Sequence, residues 1–175
     1  LTVTPNAAAS RASEKVSAKT AMNRAATQDN PYETGLERNA ANHVALTPLA
    51  QLARAAAVYP DRVACIHGAT RFTYRALYQR CRRLASALAG LGVGAGDTVA
   101  VMAPNVPALL EAHYGVAMTG GVLNALNVRQ DPPNLAFILD HAETKVLITD
   151  RVFSATIKAA LGLAKARPTV IDIDD

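Results

Sequence analysis

From Leu46 onward, apolar residues recur at helical spacing. Leu49, Leu52, Ala53 and Ala56 fall on one face. Thr47 is placed as an N-cap, Pro48 lies in the first turn, and Tyr59-Pro60 ends the run. A β-rich stretch from Val63 to His67 follows. Gly68-Ala69 then supplies a tight turn with glycine at its first central position, and Arg71-Phe72-Thr73 returns, so the pattern predicts an antiparallel hairpin. Thr73 is the N-cap type for a second helix. Its apolar stripe is Leu77, Cys81, Leu84, Leu88 and Leu91, in alternating steps of four and three, while Arg75, Arg80, Arg82 and Arg83 lie off it. A solvated face accounts for these arginines better than a binding patch, because no aromatic platform for stacking bases is interleaved with them.

Beyond this helix the pattern becomes regular. Apolar strands are predicted from Thr98 (TVAVMA), Val122 (VLNAL), Lys145 (KVLIT) and Thr169 (TVIDI), at near-equal intervals of about two dozen residues, room for one helix and two short loops. Each intervening helix has an N-cap residue type near its start: Asn105 before Val106-Pro107, Asp131 before Pro132-Pro133, and Asp150 before Val152, Phe153, Ile157 and Leu161. Strands with so few charges are expected to be buried on both faces. The fold class is therefore α/β: a layered domain with a mainly parallel sheet built from βαβ units, preceded by an antiparallel hairpin.

Composition agrees. The 175 residues are 50% hydrophobic and 18% charged, which marks an ordinary globular chain, and length alone allows one domain with a sizeable core. Two scattered cysteines, Cys65 and Cys81, do not make a disulfide framework and point to a reducing, cytoplasmic setting. The longest apolar tract, from Val106 to Val128, is interrupted by Glu111, His113, Gly120, Gly121, Asn124 and Asn127, so it does not read as a helix spanning a bilayer core of about 30 Å. Half of the net charge of +4 comes from residues 1–21, where Arg11, Lys15 and Lys19 face only Glu14. The remainder is nearly neutral, which argues against a nucleic-acid partner. Residues 1–30 are rich in Ala, Ser and Thr with little to bury, and are expected to be a disordered extension, with residues 31–175 as the folded part. Met22 marks an alternative start, and a targeting peptide is the lesser reading of the extension.

In such sheets ligands bind at the carboxyl ends of the strands. Here those ends are Pro104-Asn105, Asn127-Val128-Arg129, Asp150-Arg151 and Asp174-Asp175. Asn127 and Arg129 are the candidate binding residues at a strand end, since an amide and a guanidinium can meet a carboxylate or phosphate, though loop capping is the simpler explanation for them. Gly90, Gly92, Gly94 and Gly96 join a helix to the next strand, the wrong end for a phosphate turn, and they miss the dinucleotide register; no Gly-Lys-Ser/Thr run is present. A Rossmann-type oxidoreductase is thereby disfavoured. Cys65 and His67 lack a second pair at zinc-ligand spacing, so Cys65 is expected in the core. His113 is expected to be a packing histidine and His141 to close a helix at the negative end of its dipole. No nucleophile elbow surrounds Ser86 or Ser154. No catalytic residue and no metal site are assigned.

The order of these segments resembles the opening part of acyl-CoA synthetases of the adenylate-forming, AMP-binding superfamily. YPDR from Tyr59, FTY from Phe72, GDTVAVMAPN from Gly96 and GGVLNALNVR ending at Arg129 carry the likeness, which runs from about Pro31 to Arg151. The wording LEAHYGV and GGVLNALN is most similar to the branch of medium-chain fatty-acid and 3-methylmercaptopropionate CoA ligases. The resemblance implies the first part of the large N-terminal domain of that fold. It also implies a two-step ligase in which a carboxylic acid reacts with ATP, assisted by magnesium, to give an acyl-adenylate, and coenzyme A then displaces AMP.

The family's phosphate loop, nucleotide-binding motifs and catalytic lysine have no counterpart in these residues, so the 175-residue chain is read as a fragment, inactive by itself and prone to associate. Association between identical copies stays open. The alternative reading is a naturally truncated, non-catalytic relative that works through protein contacts. Two departures from the family pattern stand out. Ala76 replaces the acid that would complete a capping box with Thr73, and Gln130-Asp131-Pro132-Pro133 is an unusual loop.

Overall fold

Thr47 opens the first helix, α1 (Pro48–Val58), by accepting a hydrogen bond from the Ala50 N–H at 3.2 Å through its hydroxyl. This is a computed structural model. It describes residues 43–174 and, before them, positions 35, 37, 39 and 41. The extension read over residues 1–30 lies outside the described residues. Residues 46–175 form a compact unit of their own. Within it, β1 (Val63–His67) and β2 (Thr70–Thr73) make the antiparallel hairpin, with Gly68 at φ +55° in the turn and an irregularity between Val63 and Cys65 that the sequence pattern did not signal. Thr73 caps α2 (Tyr74–Gly90) through Ala76 N–H, and only this half of a capping box is made.

The rest is a βαβ array: β3 (Thr98–Met102), α3 (Pro107–Met118), β4 (Val122–Ala125), α4 (Pro132–His141), β5 (Thr144–Asp150), α5 (Ser154–Leu163) and β6 (Thr169–Ile173). The strands are all parallel in the order β4-β3-β5-β6. Because side chains alternate along a strand, Val99, Val101, Val146 and Ile148 pack to one side with Leu88, Ala112 and Val116 of α2 and α3. Ala100, Met102 and Leu147 pack to the other with Leu135, Leu139, Ile157 and Ala160 of α4 and α5. A third cluster of Leu52, Leu77 and Cys81 seats α1 and the hairpin residue Ala64 on α2. Burial on both faces holds for β3 and β5. It fails for the edge strands, where Val122 and Val170 are 52% and 41% exposed. No helix among the described residues is long and apolar enough to cross a membrane.

The glycine run joins α2 to β3. The Val93 N–H donates to Leu88 O at 3.0 Å and the Gly92 N–H to Ala89 O at 2.9 Å, a Schellman closure that needs the left-handed φ of +80° at Gly92. Lys145 then ties this turn to β5, donating to Gly92 O at 2.5 Å and to Asp97 at 2.9 Å. Lys145, helped by the Gly94 N–H, holds the Asp97 carboxyl below its ordinary range. All of this lies at the amino ends of the strands, and these glycines build the connection from helix to strand. The apolar stripe of α2 ends at Leu88, because Leu91 follows the helix and is 44% exposed.

The arginines of α2 are not simply solvated. Arg80 donates to the Glu111 carboxylate of α3 at 2.5 Å and stacks its guanidinium over the Phe72 ring at 4.7 Å. Arg75 pairs with Asp61 at 3.3 Å. Beneath Arg80 lies Cys81, whose thiol is pushed up to about 11 by burial, with the Glu111 charge adding to the effect. An unfolded chain ionises this thiol near 9 while the folded chain keeps its proton. The unfolded state therefore binds fewer protons, and this group makes stability fall as pH rises from about 9 to about 11, by up to about 1.4 kcal/mol per pH unit. Urea midpoints measured across that range are expected to fall more steeply for the native chain than for Cys81→Ala; parallel slopes would refute the assignment.

Candidate functional site

The strand order reverses direction at β3. From there the chain moves to β4 on one side, crosses back to β5 on the other, and continues outward to β6. The connections leaving β3 and β5 therefore diverge, opening a crevice at their carboxyl ends, the usual ligand position in sheets of this kind. Pro104-Asn105 leaves β3 here. Arg151 follows β5 in a short 3-10 turn, Arg151–Phe153, which Asp150 caps by accepting from the Val152 N–H at 2.9 Å. Arg151 then pairs with Asp174 beyond β6 at 2.6 Å, and Asp174 raises the guanidinium pKa above its ordinary value.

Above β3, between the hairpin and the start of α3, lies a cleft of about 550 Å³. Its walls are mostly apolar, from Pro48, Ile66, Val106, Leu109 and Leu110, with His67, Asn105, His113 and Tyr114 as the polar contributors. Cys65 lines it too. That thiol is half-buried at the cleft wall and not in the core. His113 is likewise no packing residue: it is exposed, and its Nδ1 contacts the Leu109 carbonyl at 2.8 Å, one turn back on its own helix. His141 closes α4 as expected, stacked on Phe137 at 5.6 Å. A second cavity of about 490 Å³ adjoins, sharing His67 and Pro107 with the first and adding Phe72, Arg80 and Asp174.

The expected caps divide. Asp131 accepts from the Asn134 N–H at 3.0 Å and starts α4. Asn105 does not cap α3: Val106 holds the N-cap position without a side-chain bond, and Asn105 is left facing the cleft. Pro107 at the helix start already lacks one of the N–H groups a cap would satisfy, which lowers the demand for one.

Asn127 and Arg129 sit together beyond β4. The Asn127 side chain accepts from the Arg129 N–H at 2.9 Å and its carbonyl from the Gln130 N–H at 3.1 Å, so the asparagine shapes the loop. The Arg129 side chain is exposed and makes no ion pair or hydrogen bond among the described residues. Asn127 and Arg129 do not line the 550 Å³ cleft. Among the described residues, no three His, Cys, Asp or Glu side chains converge as a metal site would require.

The model of the AMP-binding enzyme family matches residues 52–175, which takes in the whole sheet, the hairpin and all of the cleft lining but Pro48. The chain belongs to the AMP-binding enzyme family. It is 47% identical over 142 residues to the peroxisomal acetate/butyrate–CoA ligase AAE7 of Arabidopsis thaliana, covering 77% of this chain and 25% of that protein. It is 48% identical over 126 residues to the acetate–CoA ligase CCL3 of Humulus lupulus, covering 72% and 22%. Among solved structures, a Mycobacterium tuberculosis fatty acyl CoA synthetase superposes with a TM-score of 0.66 at 28% identity, covering 72% of this chain and 26% of the other. The chain thus spans about a quarter of the length of the curated relatives it matches.

Within this AMP-binding unit, reasoning from sequence alone missed the Arg80 and Glu111 pair. A signal was there: Glu111 is the one acid in the otherwise apolar helix PALLEAHYGVAM, and a carboxylate 7% exposed needs a cation. The missing partner could not be chosen among four arginines until α2 and α3 were packed together.

Proposed function

We propose that this chain is the opening section of an ATP-dependent acyl-CoA ligase, which activates a carboxylic acid as its adenylate and transfers the acyl group to coenzyme A. The observation that carries the proposal is the 47% identity with an acetate/butyrate–CoA ligase over 142 residues. The two free cysteines support a reducing, cytoplasmic setting.

The described residues do not form a polyphosphate cradle. The glycine run sits at the amino ends of the strands, and no lysine stands beside a glycine turn at the carboxyl ends. Nor do they supply a magnesium ligand set, so no step of the reaction is routed through them. What they offer is an ordered sheet, an apolar cleft at its switch point, and one guanidinium, Arg129, held on a capped loop at the carboxyl end of β4. A free guanidinium on a pre-shaped loop suits a phosphate oxygen, and ATP and coenzyme A both bear phosphates. In this reading Asn127 positions the loop and Arg129 binds.

The test is made on the protein expressed from its natural reading frame. Acid-dependent release of AMP and pyrophosphate from ATP, with thioester formation on adding coenzyme A, is expected. Arg129→Ala is expected to raise KM for one of the two phosphate-bearing substrates by about tenfold with kcat nearly kept, the loss of one charge-assisted bond. The 175-residue chain alone is expected to form no thioester. Turnover by that isolated chain, or no acid-dependent AMP release from the natural protein, would overturn the reading; unchanged KM values would remove Arg129 from it.

A further inference from the structure

The nearly neutral charge of the chain beyond residue 21 conceals a division. Residues 46–96, which form α1, the hairpin and α2, hold seven arginines against a single acid, Asp61, whereas residues 97–174 hold eight acids against six bases. All seven arginines are exposed. Arg75 and Arg80 are paired within the molecule, but Arg54, Arg62, Arg71, Arg82 and Arg83 have no carboxylate partner among the described residues. Five exposed guanidinium groups in a region almost without acids leave a positive potential there, and it favours an anionic partner.

On the same helices lies a groove of about 490 Å³. Its α1 wall is Leu49, Ala50 and Ala53, its α2 wall Tyr78, Arg82 and Ala85, and Met118 at the end of α3 also lines it. Three of these seven are alanines, so an incoming backbone can approach closely, and methionine adapts to irregular apolar shapes. Arg82 lies over the Tyr78 ring at 5.8 Å. It also belongs to an adjoining polar depression with Gln79, Arg83 and Ser86, so one side chain joins an apolar trough to a cationic shelf.

We propose that this groove docks an acidic amphipathic helix of a partner protein, with apolar side chains between α1 and α2 and carboxylates on Arg82 and Arg83. The inference goes beyond the proposed ligase activity and is independent of it. Charge complementarity selects the sign of the partner, and shape selects its class. The apolar surface is recessed, which suits a helix ridge; a bilayer would meet protruding apolar side chains. A nucleic acid would want open aromatic faces, and the one ring in the groove is already covered by Arg82.

The test is a fluorescence-anisotropy titration of the whole chain with a labelled helical peptide carrying leucines at i, i+3, i+4 and i+7 and glutamates elsewhere. Controls are a scrambled peptide of equal composition, phosphatidylcholine vesicles with and without phosphatidylserine, and a single-stranded oligonucleotide. The helical peptide is expected to bind about tenfold more tightly than the scramble and to weaken about tenfold with Arg83→Glu. Arg83 makes no ion pair or hydrogen bond among the described residues, so this variant keeps the fold; far-UV circular dichroism checks that. Arg82→Lys is expected to retain most of the binding. Equal affinity for helix and scramble, insensitivity to Arg83→Glu, stronger binding to anionic vesicles or to the oligonucleotide, or no peptide binding would each overturn the proposal.

Discussion

Arg80→Met lowers the unfolding free energy by about 2–4 kcal/mol, the largest expected effect of any single change on the surface of α2. Glu111 is 7% exposed, so without Arg80 its carboxylate is left in an apolar interface with no cation. The upper end of the range applies to a fully buried pair. Because the Arg80 side chain is 42% exposed, water and nearby solvent ions relieve part of the cost, which sets the lower end. The stacking of Arg80 on Phe72 is lost as well, and with it a tie between the hairpin and α2. The double variant Arg80→Met with Glu111→Leu recovers most of the loss, since it removes both charges and fills the space with apolar atoms. Denaturant titrations of wild type, both single variants and the double variant measure this. Equal destabilisation in the single and double variants would show that the ion pair is not the cause.

Gly115→Val destabilises the fold by about 2–3 kcal/mol through overpacking. A Cβ built on Gly115 would stand 2.8 Å from Leu84 Cδ2 and 2.9 Å from its Cγ, closer than real contacts allow. Leu84 leans on the main core from α2, and Gly115 is buried in α3, so the close approach of these two helices depends on a missing side chain. Valine places two methyl groups in that contact. Alanine places one carbon there and gains about 1 kcal/mol of helix propensity, so Gly115→Ala falls well short of the valine effect. The pair Gly115→Val with Leu84→Ala regains stability relative to Gly115→Val alone if the clash is local. Thermal unfolding of the three variants decides it, and no regain would mean that the strain lies elsewhere.

The elements were legible along the chain because the signals that set them are local. Thr47, Thr73 and Asp131 act on N–H groups three residues away, and Gly68 and Gly92 adopt backbone angles that only their own missing side chains make easy. The repeating apolar strands announced a parallel sheet because each one, buried or half-covered, is followed by a helix that must pack back on it. The same locality explains the misses. Asn105 carries a capping side chain but stands one position before the N-cap, a shift that pattern alone does not resolve. Cys65 is expected in the core for want of a metal-ligand pair and His113 is expected to pack from its apolar neighbours in sequence, yet both line a cleft that exists only once the hairpin lies beside α3.

Local pattern along the chain was enough to set the kind of layered α/β unit this is, the N-caps at Thr47, Thr73 and Asp131, the place of the glycine turn, and the family likeness carried by its strand and loop motifs. Packing in three dimensions set the strand order β4-β3-β5-β6, the crevice it opens at β3 and β5, the choice of Arg80 over its neighbours as the partner of Glu111, and the groove where α1 meets α2. The physical reason is separation along the chain. A cap or a periodic stripe is fixed by residues within a turn or two of each other, whereas Arg80 and Glu111 are 31 residues apart. Which of several like charges finds the buried carboxylate depends on how whole helices pack, and that is settled by the summed burial of the core.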